Sequence, residues 1–202
     1  LFSTLWGMIE APAETYLRIA RSEQKNYSFL LFAITGPLML AAILVAAHVG
    51  DTAIPFSYLL LAFAAVGPVF GMLLFTVSAL LLRLILRMTY AVDLKFRQLA
   101  AYIASAISSL AWSSFILLPI QLGLFATLLF STNPPAWGMQ PLPYWLLASL
   151  EIIALIWSMA LLPRAFAVHD ISYRKAFILL LGFWSSINVI AAASAAVIVT
   201  TM

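Results

Sequence analysis

The sequence predicts an all-α integral membrane protein: a bundle of five transmembrane helices, N-terminus cytoplasmic, C-terminus on the opposite side. Three observations predict it. Of 202 residues, 65% are hydrophobic and only 8% charged, where a soluble domain carries about 25% charged residues. Seven acids and ten bases cannot wet the surface of a globule this size, so lipid is the solvent for most of the chain. Second, five stretches reach the roughly 20 apolar residues that a crossing helix needs. Third, the basic residues fall on one side of those stretches.

The stretches are 29–49, 56–86, 99–130, 144–162 and 176–199. The second and third exceed the minimum and are expected to tilt or protrude. Arg18, Arg21 and Lys25 precede the first; Arg83, Arg87, Lys95 and Arg97 surround the second loop; Arg164, Arg174 and Lys175 sit in the fourth. That accounts for all ten bases. Basic residues mark the cytoplasmic side, and an odd number of alternating helices requires this placement. A net charge of +3 spread so thinly is not a nucleic-acid footprint.

The loops are small. A tight outer turn is expected around Gly50-Asp51. The second outer loop, 131–143, carries four prolines that argue against helix, and Trp137, Tyr144 and Trp145 suit the headgroup belt. The chain therefore reads as one membrane domain, 29–202, after a cytoplasmic or interfacial segment, 1–28. In that segment Pro12 opens a short helix to about Ser22, with Ala13, Tyr16, Leu17 and Ala20 on one face and Glu14 paired with Arg18. Together with apolar Leu1 to Ile9 it is expected on the cytoplasmic leaflet. The alternative is an ordinary cytoplasmic segment packed on the loops. No cleavable signal peptide is recognised from Leu1, and a start on Leu rather than Met is consistent with a preceding piece.

Polar groups inside a bilayer are costly, and by default they are functional candidates. Glu151 lies about 10 Å from the outer end of the fourth helix, Gln121 about 14 Å from that of the third, and Asn188 about 15 Å from that of the fifth. They are expected to face one another, a neutral Glu151 carboxyl donating to Gln121 or Asn188. The competing account is a packing clamp with no ligand. Small residues recur at spacings that let helix backbones approach: Gly67 and Gly71 around Pro68, then Ala101, Ser105, Ser109 and Ser113, then Gly182 and Ser186 with Ala191 and Ala195. Packing inside the chain is expected for most of them. Gly36-Pro37, Gly67-Pro68 and Pro119 should bend their helices.

Other chemistry is sparse. The chain has no cysteine, hence no disulfide and no thiolate. His48 and His169 fall on opposite sides and cannot share a metal. Both read first as polar helix-end residues, with His48 as an axial ligand for a pigment or haem the alternative. No GxSxG, HExxH or phosphate-binding glycine loop occurs. Buried carboxylates are too few for a pump relay, and no inverted repeat marks a secondary transporter.

Several stretches resemble the Yip1 domain family of five-helix membrane proteins. Ala11-Pro12 through Thr15-Tyr16 is similar to that family's short lead-in with a proline. Lys95-Phe96-Arg97 through Tyr102 resembles the start of its third helix. Trp157-Ser158 through His169, Ser172, Lys175 and Ala176 resembles its fourth helix, histidine-containing loop and Lys-Ala start of the fifth. One departure is that Ile103 to Ser114 lacks the proline usual after the tyrosine; Pro119 comes later. The resemblance implies a non-enzymatic membrane protein. Eukaryotic members are associated with vesicle traffic and small GTPases through a longer N-terminal region, which this chain does not show. The compact loops look more like prokaryotic members, which implies a prokaryotic inner (cytoplasmic) membrane.

The expected function is a scaffold or accessory subunit with no catalytic site, no cofactor and no nucleic-acid partner, working through lipids and through other membrane subunits or a second copy of itself. The alternative is a small transporter or channel using Gln121, Glu151 and Asn188. An unrecognised membrane enzyme is the third possibility.

Overall fold

The computed structural model describes residues 2–21, 27–51, 55–132, 134–182 and 184. The chain is all-α, with no strand among the described residues. Two short helices, α1 (Phe2–Glu10) and α2 (Pro12–Arg21), precede α3 (Tyr27–Ala46) and α4 (Phe56–Tyr90). Then come α5 (Phe96–Ala106), α6 (Ser108–Phe130), α7 (Ala136–Met139) and α8 (Pro141–Ala167). Residues 173–182 begin one further helix, α9. Four of these, α3, α4, α6 and α8, are long and apolar enough to cross a membrane. The fifth expected span, with Ser186, Asn188, Ala191 and Ala195, lies outside the described residues beyond position 184.

Helices α5 and α6, into which the expected third stretch 99–130 is split, form the central post. Every residue from Leu99 to Ser108 is buried, and a helix buried on all sides is a core helix. The post is not straight. Ile107, at φ −83° and ψ 6°, breaks the helical register between α5 and α6. A wide π-type turn at Ser113–Leu117 then precedes Pro119, and another at Ala62–Val66 precedes Pro68 in α4. The physical cause is shared. A proline ring collides with the carbonyl four residues back, here Phe115 and Ala64, and an added residue in the turn moves that carbonyl aside.

The closest helix contact is made by glycine. A Cβ placed on Gly36 would fall 2.7 Å from the amide nitrogen of Gly71 and onto the carbonyl oxygen of Gly67. One on Gly67 would lie 2.9 Å from Pro37 Cα. The GxxxG of α4 thus packs inside the chain, against α3. Ser105 and Ser109 tie the post to its neighbours. Tyr27 Oη and Ser105 Oγ are 3.4 Å apart, while Ser109 Oγ lies 2.9 Å from the Ala154 carbonyl and 2.7 Å from Ser158 Oγ. Ser113 Oγ donates back to the Ser109 carbonyl at 3.2 Å. Gly182 is different: no described atom lies within 4 Å of a Cβ built there.

Two expectations need correction. Helix was not expected in 131–143, yet α7 forms there and α8 starts at Pro141. Both Pro141 and Pro143 fall in the first turn of α8, where a backbone N–H has no intrahelical partner to lose. The face expected for α2, with Ala13, Tyr16, Leu17 and Ala20 together, is split. Thr15, Tyr16 and Ile19 are buried, whereas Ala13 and Leu17 are exposed. The insertion of the Tyr16 ring sets the phase of the helix, and the face follows from it. Outward, Trp6 (63% exposed), Ile9 (62%) and Leu17 (42%) form an apolar surface of the kind that lies in a lipid interface.

At the end of the bundle away from α1 and α2, two loops are latched. Asp51 accepts hydrogen bonds from Ser131 Oγ at 2.5 Å and from the Thr132 amide at 3.0 Å and hydroxyl at 2.5 Å. These donors, Ser131 first, hold its carboxyl at about 2, below the ordinary 3.8. The folded value is depressed, so the latch contributes fully above pH 3.8 and is lost as pH falls through about 2. Pepsin should therefore nick the loop around Phe130–Ser131 at about pH 2 but spare it at about pH 4, whereas Asp51→Ala should be nicked at both. A wild-type loop intact at the lower pH would show that the carboxylate does not hold it.

Candidate functional site

The described helices enclose a cleft of about 380 Å³, within the roughly 300–1,000 Å³ range of small-molecule sites. One wall is a single face of α8, carrying Tyr144, Ala148, Glu151 and Leu155. The spacing of about one residue per turn puts these on one line. The facing wall is α3, through Leu38, Ala41 and Val45. Gln121 of α6 closes the back. Gln121 is buried and lines the same cleft as Glu151. Glu151 Oε1 is buried and has no hydrogen-bond partner among the described residues. Two of the three polar residues singled out in the sequence therefore share one cavity; Asn188 lies outside the described residues.

The wide turn at Ser113–Leu117 lies one helical turn before Gln121. It rotates the following helix relative to an unbroken one, so the direction of Gln121 depends on Pro119. Apart from Tyr144 the rest of the cleft is lined by Leu, Ile, Val, Ala and Met side chains, and its rim includes exposed Ala42 and Ile152. It opens sideways, onto surface that lipid would cover.

A second polar cluster sits at the other end, where α1 and α2 pack on α5 and α8. Gln98 Nε2 donates to Tyr102 Oη at 2.9 Å, and Tyr102 Oη is 3.1 Å from His169 Nε2. The fully buried Tyr16 ring meets Tyr102 edge-on, centroids 5.5 Å apart. Burial pushes the Tyr16 phenol above its ordinary range, against the opposing charge of Arg164. Burial also lowers His169, against the neighbouring Asp170 carboxylate. This cluster was not expected as a unit. Tyr16, Tyr102 and His169 stood out only separately, Tyr16 on a helix face, His169 as a helix-end residue and all three as points of family resemblance, and residues 67 positions apart show no pairing in sequence.

The described basic residues lie at this same end. Arg83 pairs with Asp93 at 3.0 Å. Arg87 is in the last turn of α4 and Arg164 in that of α8. Lys95 and Arg97 flank the start of α5, and Arg174 and Lys175 open α9. His48 and His169 are at opposite ends, and no group of three or more potential ligands is placed to hold a metal among the described residues.

No family model, curated protein or solved structure matches the chain.

Proposed function

We propose that the chain is a non-enzymatic multipass protein of a prokaryotic inner membrane, resembling the Yip1 domain family, that serves as a scaffold or accessory subunit. One observation supports this most. On α8, Leu146, Leu150, Ile153 and Trp157 are 58%, 44%, 61% and 39% exposed. They recur at the i, i+4, i+7, i+11 spacing of a helix-packing seam. The occupant of that seam is a helix of another subunit or of a second copy. Gentle extraction from native membrane should give a complex, and Ile153→Trp should dissociate it without unfolding the chain. A wild-type protein that always migrates alone ends the proposal.

The proposed orientation rests on the bases at one end of the bundle. The chain has no cysteine, so single cysteines report cleanly. In intact cells, Gln140→Cys should react with a membrane-impermeant maleimide and Ser172→Cys should react only after lysis. The reverse pattern would invert the topology.

The cleft favours a second reading, a small transporter or channel. Under it, Glu151→Gln remains folded and loses a measurable flux; unchanged flux counts against it.

A further inference from the structure

We infer that the cleft between α3, α6 and α8 binds one single-chain amphiphile with a hydroxyl head, the hydroxyl donating to Glu151 and the chain lying along α8. Binding alone is at stake, whether or not the chain joins a complex or moves a solute.

Four features carry this. The cleft is long: its lining on α8 runs from Tyr144 to Leu155, about 16 Å along the helix. It therefore runs parallel to the helix axis, the direction of a lipid chain in a bilayer. Its mouth is apolar, so a ligand dissolved in the membrane enters without crossing water. Its walls offer apolar contact except at the Tyr144 hydroxyl at one end and at Gln121 and Glu151. There Glu151 Oε1 is buried with no partner among the described residues, and an unmet buried acceptor is costly until a donor reaches it. A hydroxyl supplies that donor without bringing a charge into the bilayer, where an ammonium would be penalised.

The test uses the full chain in phosphatidylcholine nanodiscs with a diazirine-bearing dodecanol as probe. Photolabel should map to α3 and α8 at the cleft, and unlabelled dodecanol should compete about tenfold better than dodecyl methyl ether, which cannot donate. Glu151→Leu should abolish that preference while retaining weak labelling. Ala148→Phe fills the cleft and leaves Glu151 in place, so it should remove the labelling itself; it decides the matter if Glu151→Leu fails to fold. Equal competition by alcohol and ether overturns the inference, as does labelling scattered over the outer faces. A cleft labelled only after Asn188→Ala would give its occupancy to the C-terminal segment of the chain, and would overturn it too.

Discussion

Leucine at Gly36 should prevent α3 and α4 from closing, with a loss of more than about 3 kcal/mol, at the upper end of overpacking costs. What an added side chain meets there is backbone: the Gly67 carbonyl and the Gly71 amide and Cα. A side chain in the way can change rotamer, but backbone inside a helix cannot move without separating the two helices. The shared surface of α3 and α4 would open, and lipid would not restore the lost contacts, because helix association in membranes depends on close packing. Gly71→Leu should behave alike, since its Cβ would reach the Phe32 carbonyl and 2.5 Å from Gly36 Cα. Gly123 is the control. Nothing lies within 4 Å of a Cβ there, so Gly123→Leu should stay within about 0.5 kcal/mol of wild type. The check is the folded fraction across a mixed-micelle denaturant titration. Equal stability of the Gly36 and Gly123 variants would refute the contact.

Tyr102→Ala should cost about 3–5 kcal/mol, the range for removing a buried aromatic side chain. The ring is fully buried in the central post and braces Tyr16 of α2, so its loss loosens the N-terminal helices as well. Tyr102→Phe keeps the ring and removes only the hydroxyl shared with Gln98 and His169, which should cost about 1 kcal/mol. Tyr16→Phe should act in the opposite direction. The Tyr16 hydroxyl is buried and has no hydrogen-bond partner among the described residues, so removing it should stabilise by about 1 kcal/mol. The expected order is Tyr16→Phe above wild type, then Tyr102→Phe, then Tyr102→Ala. A destabilised Tyr16→Phe protein would mean that this hydroxyl is hydrogen-bonded after all.

The helices were legible in the sequence and their faces were not. Long apolar runs located α3 and α4 to within four residues at each end; the third run, 99–130, is split at Ile107 into α5 and α6, and α8 ends late, at Ala167, and starts early, at Pro141. That start was missed because proline opposes a helix interior and favours a first turn, and only the true helix boundary says which applies. The face of α2 was misjudged for a related reason. Leu17 is as apolar as the buried Ile19, so hydrophobicity alone did not set the phase. Glu151 and Gln121 were found by their depth in separate helices. The cleft between them, and the unmet oxygen that gives it a chemistry, required α3 to stand opposite α8.

By itself the sequence determined the all-α membrane class, the approximate positions of the long apolar helices and the gathering of the bases at or near the ends of the apolar runs. These follow from sums over neighbouring residues, since transfer to lipid and charge bias are local in the chain. Only the tertiary structure decided that Gly36 seats Gly67 and Gly71, that Tyr16 closes on Tyr102 and that Glu151 shares a cavity with Gln121. In water a buried face stands out by its hydrophobicity. In a bilayer, lipid is as apolar as the core, so the faces that meet are chosen by shape and by a few hydrogen bonds between residues far apart in the chain.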